Sequence, residues 1–327
     1  MSKRIGLIDV DKESRIGKKS TFPNLSLMKL SAYHKSIGDE VGWYTPTSGH
    51  YDRVYLSKIF GDEYSKDYTF PIDADEIIRG GSGYAISVSG EKETYCKKLD
   101  PSLPHCVDHI MPDYELYGIK NTAYGFLTKG CPRGCPFCHC AAMQGRFSYT
   151  FAPLDEFWNG QKNIVLLDPN ITANKDWEKH FCTLRDSKAL IDFSQGLDAR
   201  LTSLPKIELL NEMKWKRIHF AWDRAEENLV PDFERIARHL KGLRKQTVSA
   251  YVLTNFNSTH QQNIDRVMFL RSLNIQPYVM IYRKEKAPQI TRRLQRWCNW
   301  PAIFWKYDSF GDYCRDNYKT GEGLLEK

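Results

Sequence analysis

The chain has 327 residues, of which 41% are hydrophobic, 27% charged and 13% aromatic. That length suggests about two domains with room for a buried core, and the proportions exclude a disordered, collagen-like or low-complexity protein. A net charge of +7 permits a polyanionic partner without requiring one.

The opening stretch MSKRIGLIDVD breaks its apolar run at Asp9, too early for the core of a signal peptide. No later run reaches the ~18 apolar residues of a membrane span, so a cytoplasmic protein is expected. Residues 5–10 read as a strand. Pro23 opens a helical stretch with Leu27, Leu30, Tyr33 or His34, and Ile37 at helical spacing, and Gly38 stops it. Strands follow at 41–44, 54–60 and 76–79, the last running into Gly80, Gly81, Ser82 and Gly83. This alternation predicts a small α/β domain with a doubly wound parallel sheet. Residues 87–113 contain Pro101, Pro104 and Pro112, show no period, and read as irregular structure leading to a boundary near residue 118. Domains of residues 1–118 and 119–327 are therefore expected.

Beyond the boundary, strand candidates recur at 123–128, 164–168, 191–194, 217–222, 249–254 and 278–282, and four of the five gaps hold a plausible helix. The clearest helix is 259–273, where Thr259 and Gln262 make a capping-box pair ahead of an apolar stripe of Ile264, Val267, Leu270 or Arg271, and Leu273. Six strands with crossover helices predict a partial (β/α)6 barrel, with chemistry at the carboxyl ends of its strands. A further strand at 302–306 closes the series.

Nine cysteines are too few for a disulfide scaffold, and Cys131, Cys135, Cys138 and Cys140 crowd into ten residues. In AYGFLTKGCPRGCPFCHC the first three form a CxxxCxxC arrangement directly after the first barrel strand. Three thiolates on one loop can ligate three irons of a [4Fe–4S] cube and leave the fourth open. Gly130 and Gly134 let the loop curl, Pro132 and Pro136 stiffen it, and Phe137 offers an aromatic face beside the third thiol. The alternative is a zinc site completed by His139 or Cys140, although no second CxxC pair accompanies the first. Cys96, Cys106, Cys182, Cys298 and Cys314 are scattered and read as incidental thiols.

This loop resembles that of the radical S-adenosylmethionine (radical SAM) enzymes, whose signature is CxxxCxΦC with Φ aromatic or apolar, here Phe137. The βα series over roughly residues 119–310 resembles the family's partial barrel. The resemblance implies that Cys131, Cys135 and Cys138 hold the cluster and that the open iron chelates the methionine moiety of SAM. Reduction by an external electron donor then yields methionine and a 5′-deoxyadenosyl radical, which takes a hydrogen atom from the substrate. The family's Gly-Gly-Glu-like turn after the second barrel strand is replaced by Leu167, Asp168, Pro169 and Asn170. Asp168 then serves as acceptor for the methionine amino group or, with Asn170, shapes the turn. Gln195 is a candidate cofactor contact, and Arg200 pairs either with the cofactor carboxylate or with Asp198. Asp223 is a candidate ribose acceptor, Thr254 and Asn255 suit the adenine side, and Tyr282 and Arg283 end the sixth strand.

The amino-terminal region resembles the cobalamin-binding domain of one branch of these enzymes, through Ser57-Lys58-Ile59 and Gly80-Gly81. The expected Asp-x-His-x-x-Gly element is absent, since residues 9–17 read DVDKESRIG. Cobalamin is thus admitted but not favoured over a domain that only shapes the site. Two basic segments, Arg235, Arg238, Lys241, Arg244 and Lys245, and then Lys284, Lys286, Arg292, Arg293 and Arg296, recommend nucleic acid as substrate. The aromatics that follow, from Trp297 to Tyr313, suit base stacking or, alternatively, a core that seals the barrel. A peptide or small metabolite is the other substrate class, and a non-catalytic iron–sulfur or zinc module the other functional class.

Overall fold

The computed structural model describes residues 2–13, 22–89, 92–244 and 247–318. The chain divides into two compact units, residues 1–125 with 133–146 and 151–162, and residues 126–132 with 147–150 and 163–327.

In the first unit, strands β1 (Arg4–Asp9), β2 (Glu40–Trp43), β3 (Tyr51–Ser57) and β4 (Ala74–Gly80) form a parallel sheet in the order β2-β1-β3-β4. Between β1 and β2 run α1 (Val10–Glu13) and α2 (Leu25–Ser36). Asn24 caps α2 by accepting from the Leu27 amide at 3.2 Å. The helix buries Leu27 and Leu30 against Ile5 and Leu7 of β1. Ile37, expected as the last member of that stripe, is instead an exposed C-cap residue, and Gly38 at φ +89° turns the chain away. Only this first crossover is helical; the links from β2 to β3 and from β3 to β4 run as loops.

The unit continues with α3 (Ser82–Ala85). Residues 87–113 are less irregular than expected. An antiparallel pair, β5 (Ile86–Ser89) and β6 (Lys92–Tyr95), precedes α4 (His105–Asp108). Each strand has only four residues and β5 is largely exposed, so no apolar alternation marks them. The unit also holds β7 (Thr122–Gly125) and α5 (Cys140–Gln144).

The second unit begins with β8 (Thr128–Lys129), paired antiparallel with β9 (Tyr149–Thr150). The stretch 123–128 is therefore two strands and not one. Parallel strands β10 (Asn163–Leu166), β11 (Leu190–Leu197), β12 (Trp215–Ala221), β13 (Val248–Thr254) and β14 (Gln276–Ile281) then pair in chain order, in a six-stranded sheet whose order ends at β7. Their crossovers carry α6 (Trp177–Asp186), α7 (Leu204–Glu212), α8 (Val230–His239) and α9 (His260–Ser272). The capping box at Thr259 and Gln262 is present, and Val267 and Leu270 are the buried stripe of α9. Alternate residues such as Ile191, Phe193, Ile218, Phe220, Ala250 and Val252 bury one face of this sheet.

The chain then forms α10 (Gln289–Asn299), α11 (Pro301–Phe304) and α12 (Phe310–Asn317). Residues 302–306, expected as a closing strand, are a helical turn. Pro301 presets its first residue, and the Trp305 indole donates to Gln276 Oε1 at 2.7 Å. Trp297, Phe304, Phe310 and Tyr313 are buried together with Val267, Val279 and Leu294. These rings are core and not a stacking platform. Of the first basic run only Arg235 and Arg238 lie on α8; Lys241 and Arg244 follow its end, and Lys245 lies outside the described residues, as do residues 14–17 of the loop after β1. Arg235 is held by Asp232 at 2.7 Å and by the Ala199 carbonyl at 3.0 Å. No helix among the described residues is long and apolar enough to cross a membrane.

If Trp297 is the hub of that core, Trp297→Ala lowers stability by about 3–5 kcal/mol in urea titration, whereas Arg238→Ala on the exposed face of α8 changes it by less than about 0.5 kcal/mol.

Candidate metal centre and cofactor site

The cysteine loop begins where β8 ends. Gly130 at φ +83° and Gly134 at φ +55° take the left-handed conformation that lets it double back. The Cys138 amide closes a turn onto the Cys135 carbonyl at 3.0 Å. Of the three cysteines, Cys131 and Cys135 are half-buried and Cys138 is exposed. Cys138 Sγ receives the Cys140 amide at 3.5 Å, and Cys131 Sγ receives Asn170 Nδ2 at 3.8 Å. Phe137 is half-buried between the second and third thiols.

The flanking candidates are occupied by the protein. His139 bonds Glu93 Oε1 at 2.7 Å through Nε2 and stacks on Tyr95 with ring centroids 6.0 Å apart. Cys140 starts α5. No group of three or more His, Cys, Asp or Glu among the described residues is set to hold a metal ion. The donor set nevertheless fits an iron–sulfur cluster. It offers three cysteines within eight residues, two of whose sulfurs receive N–H donors, on a loop with left-handed glycines at 130 and 134.

The segment after β10 grips this loop. Asp168 is buried, and its carboxylate accepts from the Leu127 amide at 3.2 Å, the Thr128 hydroxyl at 2.6 Å and the Thr128 amide. Both oxygens are thereby engaged with the chain leading into the cysteines. Asn170, also buried, reaches Asp198 Oδ2 at 3.5 Å besides the Cys131 sulfur. Asp198 in turn takes a two-pronged bond from Arg200 at 2.7 and 2.8 Å, and Arg200 bonds Glu227 at 2.5 Å. The pairing of Arg200 with Asp198 is thus the one the protein forms. Gln195 is exposed near the end of β11, and Asp223 is half-buried after β12, close enough to Arg266 to favour its charged form. Thr254 donates to the Met280 carbonyl and Asn255 to the Tyr282 carbonyl, tying β13 to β14.

Sequence reasoning missed a polar row on the sheet face opposite the helix-packed one. His219 of β12 stacks on Tyr251 of β13 at 5.2 Å and bonds Ser249, while the Tyr251 hydroxyl donates to the Ser194 carbonyl at 3.1 Å. Asp192 of β11 presents a buried carboxylate oxygen without a hydrogen-bond partner. Burial holds His219 below the usual histidine range and pushes Tyr251 up to about 12. The signal was present in the alternation Ile191-Asp192-Phe193-Ser194 and Ile218-His219-Phe220, where every second residue is polar.

A small parallel sheet is followed in the chain by a six-stranded sheet whose βα units run in chain order, with three cysteines after β8. A solved structure with this fold is the radical S-adenosylmethionine methyltransferase TsrM from Kitasatospora setae, with cobalamin and a [4Fe–4S] cluster bound. The match has a TM-score of 0.55 and 11% identity, and covers 86% of this chain and 75% of that one. At that identity the likeness is one of fold. No family model matches the chain.

Burial drives Asp168 up to about 7, overriding the hydrogen bonds that favour its charged form. With the folded value above the unfolded one, the stability it contributes is complete below about pH 4 and is lost as the pH rises to about 7, by up to about 1.4 kcal/mol per pH unit. Asp168→Asn removes this titration. The wild-type Tm should therefore fall relative to that of the variant between roughly pH 4.5 and pH 8, and a difference that stays constant contradicts the raised value.

Proposed function

We propose that this protein is a radical SAM enzyme that holds a [4Fe–4S] cluster on Cys131, Cys135 and Cys138. The observation that carries the reading is the CxxxCxxC loop at the carboxyl end of the first barrel strand of this fold. When bound, the cluster and SAM supply reductive cleavage of the sulfonium and a 5′-deoxyadenosyl radical. The chain's own residues supply position. Gly130 and Gly134 let the thiols turn together, Asp168 anchors the approach to the loop, and Asn170 donates to the first sulfur. The polar row of Asp192, His219, Ser249 and Tyr251 offers hydrogen-bonding groups to a substrate lying over the sheet.

Burial of Trp297, Phe304, Phe310 and Tyr313 takes four of the expected stacking rings into the core, although Trp300 stays exposed, and favours a peptide or small metabolite as substrate. An anionic substrate, nucleic acid included, is the second reading. It is supported by a cavity of about 510 Å³ lined by Arg292, Arg293, Arg296, Gln289 and Tyr318. A gel shift at low salt that separates RNA or DNA from a neutral peptide supports it, and equal, poor binding of all three removes it.

The features that resemble a cobalamin site are used internally. Asp11 accepts from the Ile59 amide at 2.7 Å and the Ser65 hydroxyl at 2.6 Å, and Asn24 donates to Ser57 at 2.8 Å. A Cβ on Gly81 would stand 2.4 Å from the Lys58 carbonyl oxygen, so that glycine answers to the chain's own backbone. These residues do not fit cobalamin, and we assign the first unit a structural part.

Two measurements test these assignments. Anaerobic reconstitution with iron and sulfide, followed by reduction with SAM, should give a cluster spectrum and 5′-deoxyadenosine, both lost in Cys135→Ala. Absence of both from the wild type, or their survival in the variant, rejects the radical reading. A zinc or non-catalytic module gives metal binding without 5′-deoxyadenosine. Hydroxocobalamin incubated with the protein should elute separately on gel filtration, and co-elution at stoichiometric absorbance contradicts the structural role of the first unit.

A further inference from the structure

We propose that Asn170 is a positioning residue that orients the Cys131 sulfur and sets the potential of the cluster it holds. The inference rests on the cluster reading above and concerns a role separate from contact with SAM. Its basis is the polarity of a buried network. Thr172 Oγ1 accepts from the Asp198 amide at 3.2 Å, so its single proton goes to Asn170 Oδ1, 2.8 Å away. That leaves Asn170 Nδ2 facing Cys131 Sγ at 3.8 Å and Asp198 Oδ2 at 3.5 Å. The opposite amide orientation would set its oxygen against the Asp198 carboxylate, acceptor against acceptor.

The amide is also locked in place. Asp198 is fixed by both prongs of Arg200, Arg200 by Glu227, and the Thr202 hydroxyl donates to the Asp198 carbonyl. Asn170 itself is 3% exposed, and Thr172 3%. One N–H of Asn170 therefore points at the sulfur by construction, and the other is consumed by Asp198. An N–H donated to a ligating sulfur stabilises the more negative, reduced state of an iron–sulfur centre and so raises its potential. Cys138 receives its N–H from the Cys140 backbone, which no side-chain truncation removes, whereas Asn170 provides a side-chain donor open to test.

The experiment is a redox titration of the reconstituted protein followed by EPR, with iron and sulfide content and far-UV circular dichroism as controls. Asn170→Leu keeps the approximate volume and removes the donor. It should retain the cluster and lower the reduction equilibrium constant about tenfold, about 59 mV to negative potential for a one-electron couple. Thr172→Val frees the amide to rotate and should move the potential in the same direction by less. An unchanged potential in both variants, with the cluster intact, overturns the proposal. So does loss of the cluster from both with an unchanged dichroism spectrum, which would make Asn170 a requirement for loop assembly alone. Failure of the wild-type chain to take up iron and sulfide removes the cluster reading and this role with it; a wild-type cluster whose potential the variants do not shift removes this role only.

Discussion

The path of the cysteine loop depends on a carboxylate that is taken out of water. Asp168 lies at the end of β10 with its oxygens turned to the Leu127 and Thr128 amides and the Thr128 hydroxyl, three residues before the first cysteine. Burying that group is unfavourable unless its acceptor sites are filled, so the two segments hold each other in register. Pro169 carries the chain only one residue further before Asn170 meets the Cys131 sulfur. One short turn thus fixes both the entrance to the loop and its first thiol. Leu127, in the break between β7 and β8, gives its amide to Asp168 instead of continuing the strand.

The two faces of the larger sheet then divide the work. Helices α6 to α9 cover the face carrying Ile191, Phe193, Ile218 and Phe220, where burial of apolar surface provides most of the stabilisation. The other face keeps Asp192, His219, Ser249 and Tyr251, where His219 bonds Ser249 and stacks on Tyr251, Tyr251 donates to the Ser194 carbonyl, and one Asp192 oxygen stays unpaired. An unpaired carboxylate oxygen on such a face costs stability, and that cost is typical of surfaces that receive a ligand. The network from Asn170 through Asp198 and Arg200 to Glu227 spans the loops after β10, β11 and β12, joining the strand ends by charge.

In the smaller unit the same logic gives the opposite result. The carboxyl ends of β1, β3 and β4 carry Asp11, Ser57 and Gly81, residue types that resemble a cofactor cradle. Their polar atoms bond Ile59, Ser65 and Asn24, and the glycine admits the Lys58 carbonyl. Residue type and position along a strand leave this ambiguous, because a turn that packs tightly on itself needs the same small and polar residues as one that packs on a ligand.

The sequence by itself determined the parallel strands of both sheets, the α9 capping box and the spacing of Cys131, Cys135 and Cys138. These are encoded in local periodicity, cap residues and spacing, which act over a few residues. Only the tertiary structure decided what the long-range partners do. It turned 302–306 into a helix because Trp305 bonds Gln276, buried Trp297 and its neighbours as core, gave Arg200 to Asp198 and Glu227, and aimed Asn170 at Cys131. The physical reason is that hydrogen-bond polarity and burial depend on which groups meet across dozens of residues. A buried asparagine and an exposed one read the same in the chain, and only packing tells which atom finds the sulfur.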